Sequence, residues 1–262
     1  MDVEKFLFIF LIILLLAANY SFLDEKLTGF LTEDNSQKIH VDRIIDGDTI
    51  ESDGTSVRLL GINTPERGEK YYLEAKGFLE DLIFNETVNL EFGKDREDQY
   101  GRMLAYVFYK GENVNQKQIE NGFANYYFLG TDKHYPPFKE SWEKCVSKNL
   151  NLCEKSKDNC SSCIFLREIN VKSQEAIFNN QCSFSCDLTK WEIKDEGRKK
   201  FVFPNFKADA NSEFSVIVGN RTDTKQTLFW ERKDYVWTKG GDTLFLRDSN
   251  GKLVLWEDTR EQ

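Results

Sequence analysis

An α+β barrel with helices packed on it, followed by an all-β sandwich, is the fold class predicted by this 262-residue sequence. Two observations predict it. Up to Cys153, stretches of alternating apolar residues are interleaved with stretches at helical spacing. Beyond Cys153 the helical spacing ends, and short aromatic-rich runs alternate with turns to the last residue. At 40% hydrophobic and 14% aromatic residues, the chain has enough apolar side chains for two cores.

The first element is the apolar run Phe6–Ala18, which no charge interrupts before Asp24. A bilayer is spanned by roughly 18 such residues, and a shorter run with small residues after it is an export signal. Residues 1–23 are therefore expected to be a membrane anchor or a cleaved signal, with Lys5 before the run and Asp24 and Glu25 after it orienting the body away from the cytoplasm. Residues 24–37 are polar and patternless, a linker.

The barrel is expected over 38–152. Ile39–Ile45, Thr49–Ser52 and Ser56–Ile62 read as strands, the last two joined by the turn Asp53-Gly54. Tyr72, Ala75, Leu79 and Leu82 recur at helical spacing. Val88, Leu90 and Phe92 alternate as a strand does, and 103–109 forms the next strand, turning at Lys110-Gly111. A short helix over 114–121 stops at Gly122, and Phe138, Trp142, Cys145 and Val146 share one face of a third helix. Residues 153–162 are a cysteine-containing linker. Over 163–262, the even spacing of short strands such as 163–169, 175–180, 214–219 and 243–248 predicts a sandwich of the immunoglobulin type, anchored by four of the five tryptophans.

All six cysteines fall between 145 and 186. An even count in an exported chain reads as disulfides, while Cys160, Cys163, Cys182 and Cys186 also have zinc-like spacing. The net charge of −9 excludes broad electrostatic capture of nucleic acid. Residues 38–152 hold 15 basic and 20 acidic residues, and 160–262 hold 16 of each. Any phosphate must therefore be met by a few placed arginines.

Four short motifs carry chemistry: DGDT (46–49), VRLLGINTPE (57–66), DQYGR (98–102) and ENGFA (120–124). Asp46 and Asp48 are two apart and invite a cation, although D-G is also common turn chemistry. Arg58 stands among apolar neighbours and needs a carboxylate or a phosphate partner. Glu66 follows Pro65 and can act as a general base, while Arg102 leaves a turn into a strand. His40 and His134 are isolated in the sequence and suggest no catalytic role.

Together, DGDT, RLLGINTPE, YGR and NGFA at these spacings resemble the staphylococcal-nuclease-like (thermonuclease) family, over about residues 38–152. The resemblance implies a five-stranded OB-type barrel with three helices and a calcium-dependent nuclease that cuts DNA and RNA to 3′-phosphates. It assigns calcium binding to Asp48, position 63 and the Thr64 carbonyl, with Asp46 standing behind them. It gives Glu66 the attacking water, and Arg58 and Arg102 the phosphate. Tyr100, Tyr126 and Phe128 are expected to bind substrate. Asn63 stands where the type enzyme has a calcium-ligating aspartate, so weaker calcium binding is expected, restored by Asn63→Asp. Phe128 stands where a substrate-binding tyrosine is expected, and a phenyl ring retains stacking.

Residues 163–262 resemble the lamin-tail domain through Asp187-Leu188-Thr189-Lys190-Trp191 and the run from Trp237 to Gly241-Asp242-Thr243. This resemblance implies attachment or capture rather than catalysis, with the partner left open. The expectation is an extracytoplasmic, metal-dependent nuclease. The alternative is a catalytically weak module on the same folds that binds nucleic acid or a surface polymer.

Overall fold

The computed structural model describes residues 36–128 and 132–261. The expected anchor (1–23) and nearly all of the 24–37 linker lie outside them. The first domain runs β1 (Ser36–His40), β2 (Arg43–Asp46), β3 (Thr49–Ser52), β4 (Thr55–Leu59), β5 (Ile62–Asn63), α1 (Tyr72–Ile83), β6 (Thr87–Glu97), β7 (Met103–Tyr109), β8 (Glu112–Asn113), α2 (Val114–Glu120), β9 (Asn125–Tyr126) and α3 (Tyr135–Lys148). Its main sheet has the order β1-β6-β7-β4-β3-β2, with β8 on β7, and β5 pairs separately with β9. Strands β2, β3, β4, β6 and β7 with three helices are the expected OB-type set.

The single strand expected over 39–45 is divided. Val41 N–H donates to the Glu86 carbonyl, and Asp42 N–H donates to the Glu51 carbonyl. The chain changes partner between those two residues, so β1 lies on β6 and β2 on β3. Strand β1 begins at Ser36, inside the span assigned to the linker.

The second domain runs β10 (Ile164–Asn170), β11 (Glu175–Asn180), β12 (Cys186–Asp187), β13 (Glu192–Lys194), β14 (Lys200–Val202), β15 (Lys207–Ala208), β16 (Ser212–Val218), β17 (Thr227–Trp230), β18 (Thr243–Arg247) and β19 (Leu253–Asp258). Two four-stranded sheets, β10-β11-β16-β17 and β14-β13-β18-β19, enclose a core that includes Phe178, Trp191, Phe203, Trp230 and Trp237. All six cysteines are paired, as Cys145–Cys153, Cys160–Cys186 and Cys163–Cys182. The zinc alternative therefore gives way to disulfides.

Strand β18 explains how the domains join. Every one of its five residues is buried. In a strand, alternate side chains face opposite ways. Leu244 and Leu246 enter the sandwich core, whereas Phe245 belongs to the barrel's hydrophobic core. The Phe245 ring lies 5.1 Å from Trp142 of α3 and 6.1 Å from Tyr126 of β9. Trp256 of β19 completes the cluster, 6.3 Å from Trp142. Nor is 153–162 a free linker. Cys153 is buried and tied to α3, while Ser156 N–H donates to the Leu253 carbonyl and Leu253 N–H to the Glu154 carbonyl. Arg247 is buried across the same boundary and donates to the Leu152 carbonyl.

This shared core predicts one cooperative unfolding transition for the full chain. Phe245→Ala removes a fully buried ring that crosses the boundary, at a cost of about 3–5 kcal/mol. Urea denaturation followed by tryptophan fluorescence is expected to show the wild-type transition separating into two.

Candidate active site

The DGDT motif is a hairpin turn between β2 and β3, not an extended segment. Asp48 N–H donates to Asp46 Oδ1 at 3.1 Å, which closes the turn. A side chain at Gly47 would meet Thr64 Cγ2 and Ala75 Cβ at 2.9 Å. Glycine at 47 thus lets the turn press against Thr64 and α1, carrying Asp48 into the interior, where it is 1% exposed. Asp48 Oδ1 accepts from the Thr49 hydroxyl at 3.1 Å, and Oδ2 accepts from Thr64 N–H at 3.1 Å. The Arg58 guanidinium lies 3.1 Å from the same Oδ2.

Burial alone would raise the Asp48 pKa, but Arg58, the Thr64 N–H and Arg198 together hold it below the usual carboxylate range. Asp46 shifts the other way, raised by burial and by the charge of Asp48. The two carboxylates have been driven apart, and the deeper one is the anion.

Arg58 projects from β4 and is itself buried. Its donors go to Asp48, to the Leu59 carbonyl, to the Ile62 carbonyl at 2.7 Å and to Asn63 Oδ1 at 2.5 Å. Asn63 is thereby committed on both sides. Its Nδ2 donates to the Glu196 carbonyl at 2.7 Å and the Gly197 carbonyl at 3.2 Å, both in the second domain. Arg198 follows directly. Its Nε lies 2.8 Å from Glu66 Oε1, and its Nη2 lies 3.8 Å from Asp48 Oδ2. Glu66 is exposed in the turn after Pro65, where its N–H donates to Glu69 Oε2 at 3.0 Å.

Arg102 is partly exposed and pairs with Asp98 through Nε at 2.8 Å. It also lies over the Tyr100 ring, 5.6 Å from the centroid, and Tyr100 is 75% exposed. A cleft of about 760 Å³ is lined by Arg58, Asn63, Arg102 and Tyr127 from the barrel, and by Glu196, Arg198 and Lys199 from the sandwich.

Three expectations require correction. Asn63 does not present an open ligand oxygen, because its carboxamide is spent between Arg58 and the 196–197 carbonyls. Tyr126 and Phe128 are not stacking surfaces. Both are buried, Tyr126 donating to Asp258 at 3.0 Å and Phe128 N–H donating to Glu196 Oε1 at 3.1 Å. Alternation along 126–128 sends these two rings inward and leaves Tyr127 to line the cleft. His134 does have a partner, Glu91, 3.0 Å away, with its ring 3.8 Å from that of Tyr106.

A calcium ion takes six to eight oxygens. Here Asn63 is occupied, Asp48 is already bonded to Thr49, Thr64 and Arg58, and the Arg198 guanidinium stands between Asp48 and Glu66. Among the described residues, no three carboxylates or imidazoles converge at DGDT. The residues in this arrangement do not fit the ion. The cationic groups beside Asp48 and Glu66 in this arrangement are Arg58 and Arg198.

Residues 56–155 match the family described as "Staphylococcal nuclease homologue", and 163–260 match "Lamin Tail Domain". The "Thermonuclease" of Staphylococcus hyicus is 35% identical over 128 residues, taking in 45% of this chain and 76% of that protein. The "Thermonuclease" of Staphylococcus intermedius is 33% identical over 135 residues, 47% of this chain and 80% of that protein. "Endonuclease YncB" of Bacillus subtilis is 32% identical over 131 residues, 45% of this chain and 62% of that protein. The chain belongs to the staphylococcal nuclease family and carries a lamin-tail domain joined to its nuclease domain.

No spacing in the sequence points to the 195–199 loop, whose Glu196 lies 133 residues from Asn63. A buried acid, Asp242 just before β18, packs against the loop. Asp242 accepts from Thr243 N–H at 2.9 Å and from Glu196 N–H at 3.3 Å. Burial, with Glu196 and Asp195 nearby, raises its pKa from 3.8 to about 8. The folded state therefore holds this proton more tightly than the unfolded chain. Its stability contribution is complete below about pH 4 and is lost as pH rises toward 8, at up to about 1.4 kcal/mol per pH unit. Asp242→Asn is expected to flatten the fall in stability measured by urea denaturation between pH 5 and 8.

Asn63→Asp replaces a donor with a carboxylate facing two carbonyl oxygens, a cost of about 1–3 kcal/mol. Hydrogen exchange at 195–199 is expected to accelerate in this variant.

Proposed function

We propose that the chain is an extracytoplasmic nuclease that hydrolyses phosphodiester bonds of DNA or RNA in the cleft between its two domains. The observation that carries this reading is the pair of arginines on that cleft, buried Arg58 and partly exposed Arg102, with Asp48 bonded to Arg58 and Glu66 paired with the cleft residue Arg198. Phosphodiester hydrolysis needs cations that meet the charge growing on phosphorus and a base that takes the proton of water. Arg58 is fixed before substrate arrives, so no reorganisation is required of it when charge develops. Arg102 stands at the rim, where a phosphate can exchange for Asp98. Glu66 takes the water proton as the water oxygen bonds to phosphorus and the ester P–O bond breaks, the leaving alkoxide taking a proton from solvent.

Calcium is the first ion to test, because the family resemblance implies it. In the arrangement described above, its binding would require Arg198 to leave the space between Asp48 and Glu66. Three disulfides support an oxidising compartment. The apolar run Phe6–Ala18 supports export, with membrane attachment if it is retained.

Purified full chain is expected to cleave single-stranded DNA or RNA in a gel assay run with Ca²⁺, other divalent ions and a chelator. Arg58→Ala and Glu66→Gln are each expected to lower kcat/KM by about 10²–10³-fold. Oligonucleotide binding without cleavage under every metal condition would favour the binding-module alternative.

A further inference from the structure

We propose that Arg198, carried by the lamin-tail domain, is a phosphate-binding residue of the nuclease site, so that each domain supplies one wall of the substrate cleft. This rests on the nuclease reading above and adds a residue outside the 56–155 segment matched to the nuclease family.

Position is the first argument. The guanidinium lies 2.8 Å from Glu66 and 3.8 Å from Asp48, the two acids at the centre of the site. Availability is the second. Arg58 is buried, and its Nη1 and Nη2 already bond four partners in the protein. The Arg198 side chain is 48% exposed and paired with a Glu66 side chain that is 47% exposed. An ion pair this open to water is weak, and a phosphate, which takes two guanidinium N–H bonds at once, can displace it. The exchange also frees Glu66 to face water. A phosphate on Arg198 and a carboxylate ready to accept a proton then arise in the same event.

The loop that carries Arg198 is also held in place. Asp195 N–H donates to the Lys199 carbonyl at 3.1 Å, and Lys199 N–H donates to Asp195 Oδ1 at 2.8 Å. Asn63 holds the 196 and 197 carbonyls, and Arg260 pairs with the Glu196 carboxylate. Residue 198 is thus fixed at its backbone while its side chain faces the cleft. Beside it, Lys199 Nζ lies 4.8 Å from the Tyr235 ring centroid, and that ring is 64% exposed. An exposed ring next to a phosphate contact suits the base of a single strand.

The test uses the full chain and a single-stranded DNA oligonucleotide over a series of NaCl concentrations. Arg198→Ala is expected to lower kcat/KM by roughly 10–100-fold, mainly through KM, as the loss of one charged hydrogen-bonded contact implies. It is also expected to reduce the slope of log kcat/KM against log salt by about 0.7, the amount for one phosphate on a single strand. Arg198→Lys should restore the slope, which a purely structural role for Arg198 would not predict. Unchanged kcat/KM and slope in Arg198→Ala would overturn the proposal. Raised activity would do so too, since Arg198 would then be a plug over Glu66. If the wild-type chain cleaves nothing under any metal condition, the nuclease reading fails separately. Anisotropy binding of the same oligonucleotide must then show the same loss of slope, or this proposal fails with it.

Discussion

The carboxamide of Asn63 is held from both sides. Its oxygen accepts from Arg58 within the barrel, and its amide donates to two consecutive carbonyls of the lamin-tail domain. A carboxamide can do both because it carries an acceptor and a donor on one planar group. A carboxylate has only acceptors and would meet the 196–197 carbonyls with repulsion. The departure from the family's aspartate at this position thus has a physical counterpart elsewhere in the chain. The residue that would have ligated a cation instead holds the loop that delivers one, the guanidinium of Arg198.

This polar clamp depends on the apolar contact behind it. Strand β18 is buried on both faces, one given to the sandwich and the other to the barrel, and Phe245 sits among Trp142, Tyr126 and Trp256. A core continuous across two domains is unlike the polar, separable contact expected between domains that move independently. The backbone of 153–156 is tied to β19 and Cys153 to α3, while the loop at 195–199 is held by Asn63 and Arg260.

Much of the barrel's side of the site was legible in the sequence because it is local. The order of DGDT, RLLGINTPE and YGR placed Asp48, Arg58, Glu66 and Arg102 as candidates; in the structure Arg58, Arg102 and Asp98 line one cleft, Asp48 pairs with Arg58 behind it, and Glu66 pairs with Arg198. The strands and helices followed from their periods, except where 39–45 changes partner. What sequence could not give was the lamin-tail wall, since no spacing rule links Asn63 to Glu196. The error at 126–128 had a different origin. Aromatic identity there does not report exposure, since period-two alternation sends Tyr126 and Phe128 into the core and Tyr127 to the cleft. The same alternation along β18 was open to reading, but nothing in TLFLR says that both of its faces are covered.

The central claim is that the lamin-tail domain forms part of the nuclease site. A crystal structure of the full chain with a bound, uncleaved single-stranded oligonucleotide measures this most directly. The account predicts one phosphate within hydrogen-bond distance of both Arg102 and Arg198, with the Asn63 bonds to the 196 and 197 carbonyls intact. A phosphate seated on the barrel alone, with the 195–199 loop moved away from Asn63, would contradict it.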